Sequence, residues 1–148
     1  MGTLKTNLGN RVYVDANIIV YVVEGYAQHQ QVLRSLLAEM DAGRLAAVTS
    51  ELTLAEVLVK PMRDANEHLV RAYAEFLEPS RALTVAPLTR PILIDAARIR
   101  ASGNLKLPDA VHVATAIALD CDTLLTNDQS LRGSPGIEVK LLSQVPVQ

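Results

Sequence analysis

Short apolar runs alternate along the chain with longer stretches in which apolar residues recur every three to four positions. The short runs are rich in β-branched residues and predict strands at 12–14, 46–48, 83–86, 123–125 and 137–142. The longer stretches predict helices over 18–24, 27–42, 51–60, 65–77, from Thr89 to the Ser102-Gly103-Asn104 break, and 109–119. Strands that are apolar throughout are typical of a parallel sheet covered by helices on both faces. The pattern therefore predicts an α/β fold, a three-layer α/β/α sandwich with a central, mainly parallel sheet.

Local signals set the expected boundaries of these elements. Asn17 is a candidate N-cap for the first helix, and Pro61 is expected to end the third. A chain of 148 residues without an internal repeat, linker or low-complexity segment predicts a single domain over residues 1–148. Residues 1–11 are polar and are expected to form a flexible lead-in to the first strand.

Composition narrows the class of protein. A hydrophobic content of 49% and a mean hydropathy of +0.19 favour a folded chain over a disordered one. The aromatic content is only 3%, which disfavours RNA binding by base stacking on an aromatic platform. The single Cys121 excludes an internal disulfide framework. No apolar run suits a membrane span or a signal-peptide core, so we expect a soluble cytoplasmic protein with no membrane partner.

The net charge of −2 and a pI near 5.9 do not match the basic footprint of a typical nucleic-acid binder. Clusters of Lys and Arg are best interpreted as solvated surface, because such residues are common there. One or two divalent cations bound among acidic residues would change the total from −2 to 0 or +2. The net charge of −2 therefore does not exclude a protein that acts on nucleic acid.

Four acidic residues fall where an α/β chain would bring them to one end of the sheet. Asp15 and Asp128 directly follow predicted strands, whereas Glu56 and Asp109 lie on helices that enter the same edge. Crowded carboxylates repel one another unless a cation lies among them. Hard oxygen ligands suit Mg²⁺ or Mn²⁺, so the sequence predicts a metal-dependent enzyme of phosphoryl chemistry.

Each acid also has a simpler interpretation. Asp109 starts a helix, where the helix dipole alone favours a carboxylate, and Asp128 could cap the turn over 129–131. Thr53 and Glu56 match a capping box, but Thr53 lies inside an apolar run where no helix should start. Asp15 is the strongest candidate, because aspartate is a poor strand residue and no cap role is evident for it.

Four short segments carry a family resemblance. They are Val12-Tyr13-Val14-Asp15-Ala16-Asn17, Thr53-Leu54-Ala55-Glu56, the segment 107–116 with sequence LPDAVHVATA, and Leu125-Thr126-Asn127-Asp128. In this order and spacing, over residues 11–142, the chain resembles the PIN-domain family, and most of all the VapC-type toxins of toxin–antitoxin pairs. The resemblance implies a metal-dependent ribonuclease on an α/β/α sandwich that leaves 5′-phosphate and 3′-hydroxyl ends. It further implies a homodimer and a small antitoxin protein as partner.

With this resemblance, Asp15 is expected to be the central Mg²⁺ or Mn²⁺ ligand, with Asp109 beside it. Glu56 either ligates the ion or orients a water bound to it. Asp128 is expected to support a second, weaker ion.

Four further residues are expected around the acids. Asn17, Thr126 and Asn127 offer neutral oxygens or hydrogen bonds at the same rim. His112 lies three residues after Asp109 and either contacts substrate or, as we prefer, serves as a hydrogen-bonded structural histidine.

Other assignments stay in competition. A haloacid-dehalogenase-like enzyme would need an Asp in place of Asn17, and a receiver domain would need paired acids before the first strand, where Asn10 and Arg11 stand. A non-catalytic PIN binding module would be expected to lack some of the acids. A housekeeping PIN nuclease that processes RNA would share every site residue with a toxin, so this alternative stays open.

Overall fold

The computed structural model describes residues 8–146. Its strands are β1 Arg11–Val14, β2 Ala46–Ser50, β3 Leu83–Ala86, β4 Thr123–Thr126 and β5 Glu138–Leu141. Its α-helices are α1 Ala16–Glu24, α2 Gln30–Asp41, α3 Glu51–Arg63, α4 Glu67–Phe76, α5 Arg90–Ser102 and α6 Leu107–Ala118. Single turns of 3₁₀-helix occupy Ala27–His29, Gln129–Leu131 and Leu142–Gln144.

The five strands form one sheet in the order β3-β2-β1-β4-β5, and every pairing between neighbours is parallel. The first strand is therefore the central one, with Val14 in register with Leu125 of β4. Helices cover both faces, which confirms the predicted three-layer α/β/α fold. Within the described part of the chain, no helix is long and apolar enough to cross a membrane.

The alternation of side chains along β1 explains why both faces of the sheet are buried. Val12 and Val14 point into a core that they share with residues of α1 to α4, whereas Tyr13 faces the opposite core beneath α6. All three side chains are at most 3% exposed. A central strand with no polar face needs a helical layer on each side, as the sequence pattern predicted.

Residues 8–11, which the sequence assigned to a flexible lead-in, are part of the fold. Leu8 is fully buried, and Arg11 belongs to β1. The backbone N–H groups of Asn10 and Arg11 donate to Asp122 Oδ2 at 2.8 and 3.0 Å. Residues 1–7 of the predicted lead-in lie outside the described residues.

Two predicted helix boundaries are wrong. Helix α3 does not end before Pro61 but continues to Arg63, with Pro61 buried inside it. The stretch predicted as one helix over 27–42 is divided into a 3₁₀ turn and α2, which starts only at Gln30. Tertiary packing of Pro61 outweighs the loss of one backbone donor, which pattern alone cannot show.

Candidate acidic active site

The acidic residues gather where the chain changes direction across the sheet. From β1 the chain proceeds to β2 and β3 on one side, and it then returns to place β4 on the other side of β1. Asp15 directly follows β1, and Asp128 lies two residues after β4. The carboxyl ends of strands at such a switch point are the usual ligand site of open parallel sheets.

Asp15 is the most enclosed of the four acids, at 5% exposure. It caps α1, because its Oδ1 accepts a hydrogen bond from the Ile18 backbone N–H at 3.3 Å, and its Oδ2 accepts one from the Thr126 hydroxyl. Burial raises the pKa of Asp15 from 3.8 to about 6, an effect that the bond from Thr126 only partly offsets. The expectation that Asn17 caps this helix is wrong: Asn17 lies in the first turn of α1 and is exposed.

The segment after β4 holds the Asp15 carboxylate from the other side. Thr126 is fully buried, and its Oγ1 also accepts a hydrogen bond from the Asp128 backbone N–H at 3.0 Å. Asp128 Oδ1 accepts from the Ser130 backbone N–H at 2.9 Å, so this residue does cap the turn over 129–131. The cap leaves Oδ2 for other ligands.

Asn127, which was expected at the rim, uses its side-chain oxygen elsewhere. Its Oδ1 accepts a hydrogen bond from the Ser143 backbone N–H at 3.3 Å. Asn127 thereby connects the end of β4 to the 3₁₀ turn after β5, and this hydrogen bond occupies its side-chain oxygen Oδ1.

Asp109 lies in the first turn of α6, three positions after the N-cap Lys106. Burial raises the pKa of Asp109, and the charge of Asp128 raises it further, with a smaller contribution from Glu56. Among the described residues, no group donates a hydrogen bond to its carboxylate. The favourable interaction of Asp109 with the dipole of α6 therefore does not offset the burial and the neighbouring negative charges that raise its pKa.

Glu56 is held by a histidine. Its Oε1 lies 2.6 Å from Nε2 of His112, and its side chain is 33% exposed. The other ring nitrogen of His112, Nδ1, lies 2.5 Å from the hydroxyl of Tyr13. Ser50 caps α3 through a bond from the Leu52 backbone N–H, so Glu56 has no capping role.

Electrostatics link the four acids, although each of them lies on a different element. The charge of Asp128 raises the pKa of both Asp15 and Asp109, and the charge of Glu56 raises that of Asp109. Within residues 8–146, no three His, Cys, Asp or Glu side chains converge closely enough to hold an ion by direct ligation alone. Mg²⁺ retains several waters and needs only one or two carboxylates, so this hard-oxygen donor set fits such an ion in its chemistry.

A cleft of about 560 Å³ adjoins this region, between the α5–α6 connection and the segment after Asp128. Ser130, Arg132, Ser134 and Asn104 contribute polar groups to its wall. Arg132 gives this wall a positive charge, which suits a phosphate group of a bound substrate.

One side chain at the site was not singled out by sequence reasoning. Tyr13 stands in the middle of β1, is fully buried, and reaches His112 through its hydroxyl. Burial raises its pKa well above 10, and the charges of Asp15 and Glu56 raise it further. The available signal was a hydroxyl in an otherwise apolar strand, since a buried phenol needs a hydrogen-bond partner.

Comparisons with known proteins place this geometry in a family. The sequence matches the PIN domain over residues 12–133. A search of curated proteins gave no match.

Several solved structures share the fold. The DNA-bound VapBC structure from Salmonella typhimurium has a TM-score of 0.71 at 16% identity, with 90% of this chain and 98% of that chain covered. VapC20 from Mycobacterium tuberculosis, described as a Sarcin-Ricin loop cleaving toxin, has a TM-score of 0.67 at 16% identity, with 87% and 98% covered. FitAcB from Neisseria gonorrhoeae has a TM-score of 0.67 at 19% identity, with 90% and 99% covered. The sheet order, the acids at its switch point and the match over residues 12–133 lead to one conclusion: the chain belongs to the PIN-domain family.

Proposed function

We propose that this protein is a metal-dependent endoribonuclease and the toxin of a toxin–antitoxin pair. Membership in the PIN-domain family supports nuclease chemistry, and the structural likeness to VapC20, described as a Sarcin-Ricin loop cleaving toxin, supports RNA as the proposed substrate class. The likeness to VapBC complexes supports the toxin role.

The buried carboxylate of Asp15 is the observation that carries the proposal. An aspartate at 5% exposure, with no basic side chain of residues 8–146 within ion-pair distance and a pKa raised to about 6, is unfavourable in the folded protein. A divalent cation beside it would remove this cost. Asp109 offers a second carboxylate, to which no group in the described part of the chain donates a hydrogen bond. An arrangement that is costly without a ligand is typical of a functional site.

Asp15 and Asp109 would hold Mg²⁺ or Mn²⁺, and Asp128 would add a further carboxylate oxygen for a second ion. When bound, such an ion lowers the pKa of water and stabilises charge on the phosphate oxygens. His112 holds Oε1 of Glu56, and among the described residues Oε2 has no protein partner. We propose that Oε2 orients the attacking water and accepts its proton. Thr126 fixes the Asp15 carboxylate by its hydroxyl, and Asn17 is exposed where it can contact the substrate.

Cleavage of RNA by the purified protein tests this proposal. With Mg²⁺ or Mn²⁺ we expect cleavage that EDTA abolishes. Asp15→Asn should reduce cleavage to background, while the circular dichroism spectrum of this variant stays the same as that of the wild type. Asp41→Asn makes the same change at an exposed position at the end of α2, and it should leave the rate unchanged. Equal cleavage by wild type and Asp15→Asn, or cleavage that survives EDTA, would refute the mechanism.

The partner is proposed to be a small antitoxin that inserts a basic group among the acids, because the site carries dense negative charge. We further propose that the protein acts as a homodimer in the cytoplasm. A short reading frame that overlaps the start of this one should encode the antitoxin. Co-expression should yield a complex without RNA cleavage. If no such frame exists and the protein is harmless to growing cells, housekeeping RNA processing becomes the better assignment.

A further inference from the structure

Three side chains from three elements form a continuous hydrogen-bonded row behind the acidic site. Tyr13 on β1 contacts His112 Nδ1 at 2.5 Å, and His112 Nε2 on α6 contacts Glu56 Oε1 of α3 at 2.6 Å. The row runs from the core to the surface, since Tyr13 is 0% exposed, His112 2%, and the Glu56 side chain 33%. Only its outer end can reach a substrate.

The chemistry of the two end groups fixes the direction of the hydrogen bonds. An ionised carboxylate can only accept, so Nε2 of His112 must carry the proton that it shares with Glu56. With a neutral imidazole, Nδ1 is then an acceptor and the hydroxyl of Tyr13 is its donor. Both contacts of the ring are consistent with one neutral tautomer, the one protonated at Nε2.

This row limits the freedom of Glu56. A glutamate on a helix surface with a third of its side chain exposed would ordinarily sample several rotamers. Here one oxygen is held by a fully enclosed ring, and among the described residues the other oxygen has no protein partner. The ring is itself held between Tyr13 and the packing of α6, so Oε2 is directed by groups that never contact the substrate.

We propose that His112 is a positioning residue that aims Glu56, and that Tyr13 sets the tautomer with which it does so. The inference rests on the proposed nuclease function and assigns roles within that site to two residues that lie outside the acidic set. It does not require His112 to change its protonation. Loss of the row should lower the turnover of bound RNA, since Glu56 acts on the reacting water, and it should leave RNA affinity unchanged.

Kinetics of matched tyrosine variants form the first test. Tyr13→Phe should lower kcat by up to roughly tenfold at constant KM, the size expected when one hydrogen bond that holds the ring is lost. Tyr73→Phe is the control, because Tyr73 is 1% exposed and its hydroxyl donates to Glu24, away from the site. Its kcat should stay at the wild-type value. Equal kcat for wild type and Tyr13→Phe, or equal losses in both variants, would overturn the inference.

The second test compares the kcat values of two substitutions of His112, one that keeps a hydrogen-bond donor and one that does not. Glutamine can donate one N–H to Glu56 from position 112, whereas leucine cannot. His112→Gln should therefore retain a kcat at least several-fold above that of His112→Leu, with similar KM. Equal kcat values in these two variants would contradict a positioning role. If His112→Leu does not fold, the comparison of Tyr13→Phe with Tyr73→Phe still decides.

The tautomer itself can be observed by long-range ¹H–¹⁵N correlation spectra of histidine-labelled protein with Mg²⁺. The chain has three histidines, so a His112→Gln spectrum assigns the ring by difference. We expect Nε2 protonated and Nδ1 bare, and either a protonated Nδ1 or protons on both nitrogens would refute the proposal. This measurement needs no RNA. Absence of metal-dependent cleavage by the wild type would refute the nuclease function, whereas wild-type cleavage unaffected by Tyr13→Phe would refute the positioning role alone.

Discussion

Replacing Asp15 with asparagine should make the metal-free protein more stable at neutral pH, even though it removes the central candidate ligand. Burial raises the pKa of Asp15 from 3.8 to about 6, so ionising this carboxyl destabilises the folded state by about 3 kcal/mol. Asparagine cannot ionise. It remains a good N-cap, because its Oδ1 can still accept the bond from the Ile18 N–H, while its Nδ2 replaces the oxygen that Thr126 contacts and can donate to the Thr126 hydroxyl oxygen.

The pH dependence of this gain follows from linkage. Between pH 3.8 and about 6 the folded state binds a proton at Asp15 that the unfolded chain has lost, so wild-type stability falls as pH rises through this window. The Asp15→Asn variant does not lose stability in this pH range, because it has no carboxyl group to ionise at position 15. The difference in unfolding free energy should therefore be near zero at pH 4 and approach about 3 kcal/mol above pH 6, or roughly 6–12 °C in Tm.

Thermal and urea unfolding in EDTA, at several pH values between 4.5 and 8, measure this difference. Asp41→Asn controls for the loss of one negative charge at an exposed position and should show no such pH-dependent gain. Adding Mg²⁺ should narrow the gap, because the ion stabilises only the wild type. A variant no more stable than wild type at pH 7.5 without metal would refute the view that Asp15 is an unfavourable buried carboxylate.

Further predictions concern the N-terminal turn, the threonine at the site and the adjoining cleft. Gly9→Ala should destabilise the fold by more than about 1 kcal/mol in urea, because a Cβ at φ +81° would lie 2.5 Å from Asp122. Gly25→Ala, at φ +70° with open space around it, measures the backbone strain alone and should cost less. Thr126→Val removes a hydroxyl bond that lowers the pKa of the buried carboxyl, so the rate-versus-pH profile should move to higher pH; an unchanged profile would contradict this. Arg132→Ala should raise KM for RNA about tenfold at unchanged kcat, and a selective fall in kcat would exclude a role in substrate binding.

The sheet was predictable from the sequence because its strands are apolar on both faces. Asp15 and Asp128 could be placed at one edge before the structure was known, since parallel strands end together. The N-terminal segment could not be predicted in the same way. Polar residues around Leu8 suggested a loose lead-in, yet the segment is held by Asp122, which lies 112 positions from Asn10 along the chain.

At the site, the residue types were predictable and their partners were not. Helical spacing from Asp109 left His112 with two interpretations, and only the fold shows that its ring joins Glu56 to Tyr13. The cap of α1 is Asp15, although no cap role was evident for it ahead of the β-branched Ile18 and Ile19, and Asn17 was expected to cap the helix instead. That the four acids hold a metal ion stays a prediction.

The bond between Thr126 and Asp15 joins residues that are 111 positions apart, and this separation has a consequence for synthesis. A chain that leaves the ribosome N-terminus first exposes β1 early, but β4 and the segment holding Asp15 follow only after residue 122 has been made. The four acids cannot assemble before Asp128 has left the ribosome. If the protein cleaves RNA, the messenger and the ribosome that produce it meet no working site before that point.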